Sequence, residues 1–161
     1  MTDTASSDAA WTADAVTERV VARGHENVSA THRSTFEVTT DDWLTPAGDC
    51  ILGVEADRAP ADFGDRFVER AQAGARITVE LLVGRPDESA TAVDRDGAAH
   101  RLTAVGRGDP TLTFENGRSL VCRTSDYTDD RTAVVEADAA AADFDRAAVG
   151  ALADGAPLVC L

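Results

Sequence analysis

The chain has 161 residues with 29 acidic and 15 basic side chains, every basic one arginine, and a formal net charge of −14. That length suits one domain with a sizeable core; no run approaches the roughly 20 apolar residues of a membrane span, and residues 1–13 are small and polar, unlike a signal peptide. Three cysteines make an odd number, which together with the lack of an export signal argues against a disulfide framework. The expectation is a cytoplasmic protein without membrane contact. The acidic, lysine-free composition reads as adaptation to molar salt, where the Debye length is about 3 Å. Acidic excess then serves hydration, and the charge argues neither for nor against nucleic acid.

In chain order, residues 17–23 form a weakly alternating strand ended by Gly24. Residues 31–39 alternate more cleanly, with His32, Ser34, Phe36 and Val38 on one face. A loop with Trp43, Pro46 and Gly48 spans 41–48, and a strand follows over 50–56. Pro60 suits a first helical turn; Phe63, Phe67, Val68 and Ala71 make the helix stripe, and Gly74 stops it. The next strand spans 75–83. Asp96-Gly97 predicts a two-residue hairpin between 91–95 and 98–104. Further strands are predicted near 111–115, 119–124 and 132–137. A helix over 142–153 follows, with Phe144, Ala148, Val149 and Leu152 as its stripe; Gly155 ends it before a last strand over 156–161.

The halves echo each other. Val54-Glu55-Ala56-Asp57 and Ala61-Asp62-Phe63 recur as Val135-Glu136-Ala137-Asp138 and Ala142-Asp143-Phe144. Residues 49–80 laid on 130–161 match at 12 of 32 positions, four of them alanine. Upstream, Val21-Ala22-Arg23-Gly24 lies on Val105-Gly106-Arg107-Gly108, so the first half carries three extra residues between Thr40 and Asp49. Two copies of so long a period read as a duplication, not a solenoid. The expected fold is α+β and β-rich, internally duplicated: a pseudo-twofold, mainly antiparallel sheet or sandwich with two covering helices. Residues 1–15 are expected to be a disordered extension, and 16–161 a single duplicated domain. Its halves are 16–84 and 100–161, with 85–99 as the connecting hairpin.

Residues present in only one half are the first suspects for chemistry. His25 falls on Asp109, His32 on Asn116, Cys50 on Arg131, and Arg58 on Ala139. Two imidazoles, a carboxylate and a thiol close in sequence fit metal binding or acid–base work, but His-x6-His matches no standard metal spacing, so no metal site is assigned. A reactive Cys50 needs an electropositive, part-exposed setting. Cys122 and Cys160 sit on apolar faces and read as core. Glu55 and Asp57 recur as Glu136 and Asp138, which points to architecture, with Asp57 and Asp138 as helix caps. Arg131 suits a forked contact with carboxylate or phosphate. No phosphate loop, nucleophile elbow or zinc-finger spacing is present.

The run Arg23-Gly24-His25-Glu26-Asn27-Val28, then Ala30-Thr31-His32-Arg33-Ser34-Thr35, and Leu44-Thr45-Pro46-Ala47-Gly48-Asp49-Cys50-Ile51 resembles the archaeal family called domain of unknown function 371. So does the second half, through Gly108-Asp109-Pro110, Arg123-Thr124-Ser125-Asp126 and Arg131-Thr132. The resemblance covers about 16–161 and implies a small, β-rich cytoplasmic domain; it implies no activity. Against that pattern, Asn116 replaces a histidine and Asp129-Asp130 displace a cysteine.

Three functions follow as expectations. The first is binding of a small anionic molecule or a nucleic-acid phosphate by His25, Asn27, His32, Arg33, Arg58 and Arg131. The second is a small hydrolase or lyase with His32 as general base and Asp49 or Cys50 as its orienting or nucleophilic partner. The third is a protein–protein adaptor that uses Trp43. The sequence does not identify a cofactor, and a monomer or a homodimer is expected.

Overall fold

The computed structural model describes residues 15–161. The extension expected at the N-terminus lies, but for Ala15, outside the described residues. Eight strands and two α-helices follow in the order β1 (Val20–Arg23), β2 (Thr35–Thr39), β3 (Ile51–Gly53), α1 (Asp65–Gln72), β4 (Arg76–Val83), β5 (His100–Arg107), β6 (Ser119–Arg123), β7 (Thr132–Val134), α2 (Arg146–Ala153) and β8 (Pro157–Cys160). The fold is α+β and strand-rich. Sheet one runs β1-β8-β4-β5, antiparallel throughout. Sheet two runs β3-β2-β6-β7; its central pair is antiparallel and its outer pairs are parallel.

One core cluster takes side chains from both sheets and both helices, among them Phe36, Leu52, Leu81, Leu152 and Leu158, each no more than 1% exposed. Burial of each such side chain is worth about 1.5–3 kcal/mol. Phe36 meets Phe144 edge to face, with ring centroids 5.3 Å apart.

The helices are stopped as their glycines require. Gly74 and Gly155 have φ of +84° and +89°. The amides of Ala75 and Ala156 return to the carbonyls of Arg70 and Ala151, satisfying last-turn acceptors. Asp145 caps α2 at the Ala147 amide, while the Gly64 amide ahead of α1 is bonded by the Glu18 carboxylate at 2.9 Å.

The Val-Glu-Ala-Asp segments form corners between sheets. Val54 bridges Arg23 of β1, and the Ala56 amide bonds the Thr39 carbonyl of β2. Between them Glu55 takes φ of +55°, which turns the chain from one sheet to the other. Asp57 then exchanges two bonds with Val21: its amide donates to the Val21 carbonyl, and its Oδ1 accepts from the Val21 amide at 2.8 Å. Val135, Glu136 (φ +51°), Ala137 and Asp138 make the same contacts with Arg107, Arg123 and Val105. Asp57 and Asp138 are therefore not helix caps; they bond the amides of edge strands.

Other sequence expectations also shift. Pro60 opens a 3-10 turn, Pro60–Asp62, closed by the Asp62 carboxylate on the Ala59 amide, and α1 begins only at Asp65. β2 begins at Thr35 because the His32 ring closes a turn over 32–35. β3 ends at Gly53, before the positive φ of Glu55. Residues 111–115 form no strand; Phe114 there has φ of +52°. Asp96-Gly97 makes no two-residue hairpin. Asp94 accepts from the Gly97 amide within a local turn, residues 90–92 are a 3-10 turn, and the true hairpin joins β4 to β5.

Gly24 and Gly108 each pack on the end of a helix distant in sequence. The Gly24 amide bonds the Ala156 carbonyl, and the Gly108 amide bonds that of Ala75. A Cβ at Gly24 would lie 1.8 Å from the Leu152 carbonyl oxygen, and one at Gly108 1.9 Å from that of Ala71. Backbone cannot rotate away as a side chain can. Gly24→Ala is expected to cost about 3 kcal/mol or more, whereas Gly117→Ala, with open space around it, stays within about 0.5 kcal/mol of wild type. Denaturant unfolding of both variants checks this, and equal stabilities would contradict it.

Candidate functional site

The side chains of Phe36 and Val38 enter the core, so Thr35, Glu37 and Thr39 alternate onto the outer face of sheet two. That face is polar yet covered. Thr35, Glu37, Thr39, Ser119 and Thr132 are each no more than 8% exposed. Across the central strand pair, Glu37 lies opposite Val121.

Glu37 is the unusual member. A buried carboxylate ordinarily needs strong partners. Its one hydrogen bond among the described residues comes from the Cys50 thiol, Sγ to Oε1 at 3.5 Å. Cys50 stands on one side of it, and the Arg131 guanidinium, whose charge it feels, on the other. The two positions aligned across the halves, Cys50 and Arg131, thus both act on one carboxylate, Cys50 through its thiol bond and Arg131 through its charge, while the guanidinium itself pairs with Asp129. Their amide neighbours match as well: the Glu37 amide bonds the Cys50 carbonyl, and the Val121 amide that of Arg131.

Burial first, and then the Glu37 charge, push the Cys50 thiol up to about 11. A thiol so placed is a poor nucleophile at neutral pH. Burial also raises Cys160 to about 12 and drives Cys122 well above the ordinary thiol range; both are buried in the core.

On the Arg131 side, Asp129 organises the loop between β6 and β7. Burial alone would raise its pKa. Bonds from the Arg131 amide, the Thr132 hydroxyl and the Arg131 guanidinium, with the charge of Arg123, hold it instead at about 2. Arg123 also donates to the Thr132 hydroxyl at 2.9 Å.

The histidines have local duties. His32 Nδ1 accepts from the amides of Ser34 and Thr35, each at 3.2 Å. Amides only donate, so Nδ1 carries the lone pair and Nε2 the proton of the neutral ring. Asn116 does the same work with its Oδ1 on the amides of Arg118 and Ser119. His25 Nδ1 accepts from the Asn27 amide, as Asp109 accepts from that of Thr111. Asn27 itself donates to the Leu44 carbonyl at 2.7 Å. Arg58 is clamped to Glu18 at 2.6 Å, to the carbonyls of Arg19 and Asp62, and over the Phe63 ring.

The sequence-predicted residues therefore divide. Cys50 and Arg131 gather at Glu37. His32 joins them through Thr35, whose hydroxyl lies 3.1 Å from Nδ1. Arg33 is exposed on the adjoining bend, with no ion pair among the described residues. Asp49 contributes its carbonyl to the amides of Thr31 and His32. Among the described residues, neither the His25 ring nor the His32 ring makes a hydrogen bond to the Asp49 carboxylate or the Cys50 thiol. Among the described residues, no group of three or more His, Cys, Asp or Glu side chains is placed to hold a metal ion, and no helix is long and apolar enough to cross a membrane. Sequence reasoning missed Glu37, Arg123 and Asp129. The comparison of halves contained the signal for Glu37, which falls on Val121.

Residues 20–161 match the family model described as domain of unknown function (DUF371). The chain belongs to this family. An uncharacterised protein from the archaeon Methanocaldococcus jannaschii is similar to it, at 36% identity over 141 residues, 87% of this chain and 93% of that protein.

Two titrations test the site. Glu37→Gln removes the charge beside Cys50, so the thiol pKa falls and alkylation by iodoacetamide near pH 9 speeds up; an unchanged rate would separate the two groups. Asp129 has a lowered folded pKa, so its stabilisation is present above the unfolded value and is lost as pH falls from about 4 through about 2. Asp129→Asn should accordingly be less stable than wild type at pH 7, with the gap closing over that window. A gap independent of pH contradicts the assignment.

Proposed function

We propose that this chain is a duplicated β-sandwich that acts as a binding domain, with its site on the outer face of sheet two. The ligand is a small molecule, or a nucleic-acid segment, that carries an anionic group. One observation carries the reading: Glu37 is buried beside Arg131 and Cys50 with its acceptors almost unused. A bound hydrogen-bond donor would complete its shell, and the neighbouring anion would lie against Arg131, which is 44% exposed. Nε2 of His32 and the exposed guanidinium of Arg33, just ahead of β2, are further donors this reading would use. His25, Asn27 and Arg58 support the fold around this site. The acidic, lysine-free surface suits work at molar salt in the cytoplasm.

A second reading, contact with a protein partner, is favoured by Trp43, which stands 55% exposed beneath the Arg118 guanidinium. Tyr127, 60% exposed, packs with Arg123 in the same way.

Thermal unfolding at molar potassium chloride against inorganic phosphate, nucleotides and small carboxylic acids tests the first reading. A ligand at 100 times its Kd adds about 2.7 kcal/mol, a Tm rise of roughly 5 to 10 °C for a domain of this size. The shift should vanish in Arg131→Ala and shrink in Glu37→Gln. A shift retained in both, or no shift with any probe, overturns it.

A further inference from the structure

A cleft of about 730 Å³ opens beneath α1, between β4 and the core face of sheet two. It is far from Glu37 in the layering, because its floor is Leu120, Cys122 and Ala133, the opposite face of the same sheet. Matching positions beneath α2 are filled. Phe36 stands there for Leu120, Val38 for Cys122 and Leu52 for Ala133, all at most 2% exposed. Val134 is larger than its counterpart Gly53, but it packs into the space that Gly106 leaves, 2.7 Å from where a Cβ would sit.

The helices show the same difference. On α2 and its approach, Phe144, Ala148, Val149 and Leu152 are buried; on the α1 side Phe63, Phe67 and Val68 are only half-buried. Against these, α1 carries Phe67 where α2 has Ala148, and Phe114, packed on Phe67, stands where Ala30 does, yet a cleft remains between β4 and sheet two. The volume is that of a small-molecule pocket.

The rim is cationic in a chain that is otherwise strongly acidic. Four arginines, Arg70, Arg76, Arg95 and Arg101, stand there against Glu18 and Glu80. Glu80 is shared by Arg95 and Arg101, at 2.6 and 2.7 Å, and Glu18 is met by Arg58. Arg76 is exposed and makes no ion pair among the described residues. An apolar cavity with a guanidinium at its mouth matches an apolar body that ends in an anion.

We infer that the cleft beneath α1 binds a small organic acid with an apolar body. Octanoate and octanol, titrated by calorimetry into the full chain at molar potassium chloride, provide the test. Octanoate should saturate at one per chain, and octanol should bind more weakly. Ala133→Leu, which restores the residue found at Leu52, should weaken octanoate at least tenfold; Leu120→Phe is the second filled variant. Arg76→Ala should weaken octanoate and leave octanol unchanged, whereas Arg85→Ala, an exposed position outside the cleft, should change neither. In the wild-type chain, octanoate should move the NMR methyl signals of Leu120 and Val134. The inference is overturned by the absence of saturable binding, by methyl shifts confined elsewhere, or by full affinity in a folded filled variant. Equal losses of octanol and octanoate in Arg76→Ala would overturn the acid assignment. A dimeric wild type made monomeric by Ala133→Leu would give the cleft to a second copy instead.

Discussion

The two sheets depend on the corner at which the chain leaves one for the other. At Asp57 and Asp138 a carboxylate and a backbone amide together bond one residue of an edge strand, Val21 or Val105. Bonds to a charged acceptor are worth about 1.5–3 kcal/mol each, and these hold strands β1 and β5 that have a neighbour on one side only. The corner also places a non-glycine residue, Glu55 or Glu136, at positive φ, a conformation costing roughly 1–2 kcal/mol. The carboxylate bond and the strain are close in size, and the packing of the two sheets decides the balance. With the corners set, β2 and β6 pair at the centre of sheet two, and its outer face becomes available for polar side chains.

That face shows how much of the molecule was legible beforehand. Apolar periodicity located β4, the stripe of α2 and both glycine stops, because burial and positive φ act within a few residues. It overextended β2, because a histidine ring can close a turn as an asparagine does, and alternation carries no record of that. Glycine after aspartate at 96–97 looked like a hairpin, but the partner of β5 is chosen by the register of β4, which is a long-range property.

The candidate site was half legible for a related reason. Comparing halves singled out Cys50 and Arg131; Cys50 bonds the Glu37 carboxylate, and Arg131 pairs with Asp129 within reach of its charge. At the positions matching His25 and His32, Asp109 and Asn116 perform the same turn-closing work with different atoms. Chemical type differed while the bond made to the backbone stayed the same. Arg58 pairs with Glu18, a residue 40 positions away that no local pattern connects to it.

The position of β8 has a consequence for how the chain acquires this structure. β8 lies between β1 and β4, and Val20 pairs with Cys160. Sheet one therefore stays open at its middle until the final strand has emerged from the ribosome. Contacts so distant in sequence make for slow folding, and until then β1 and β4 each present an unpaired edge.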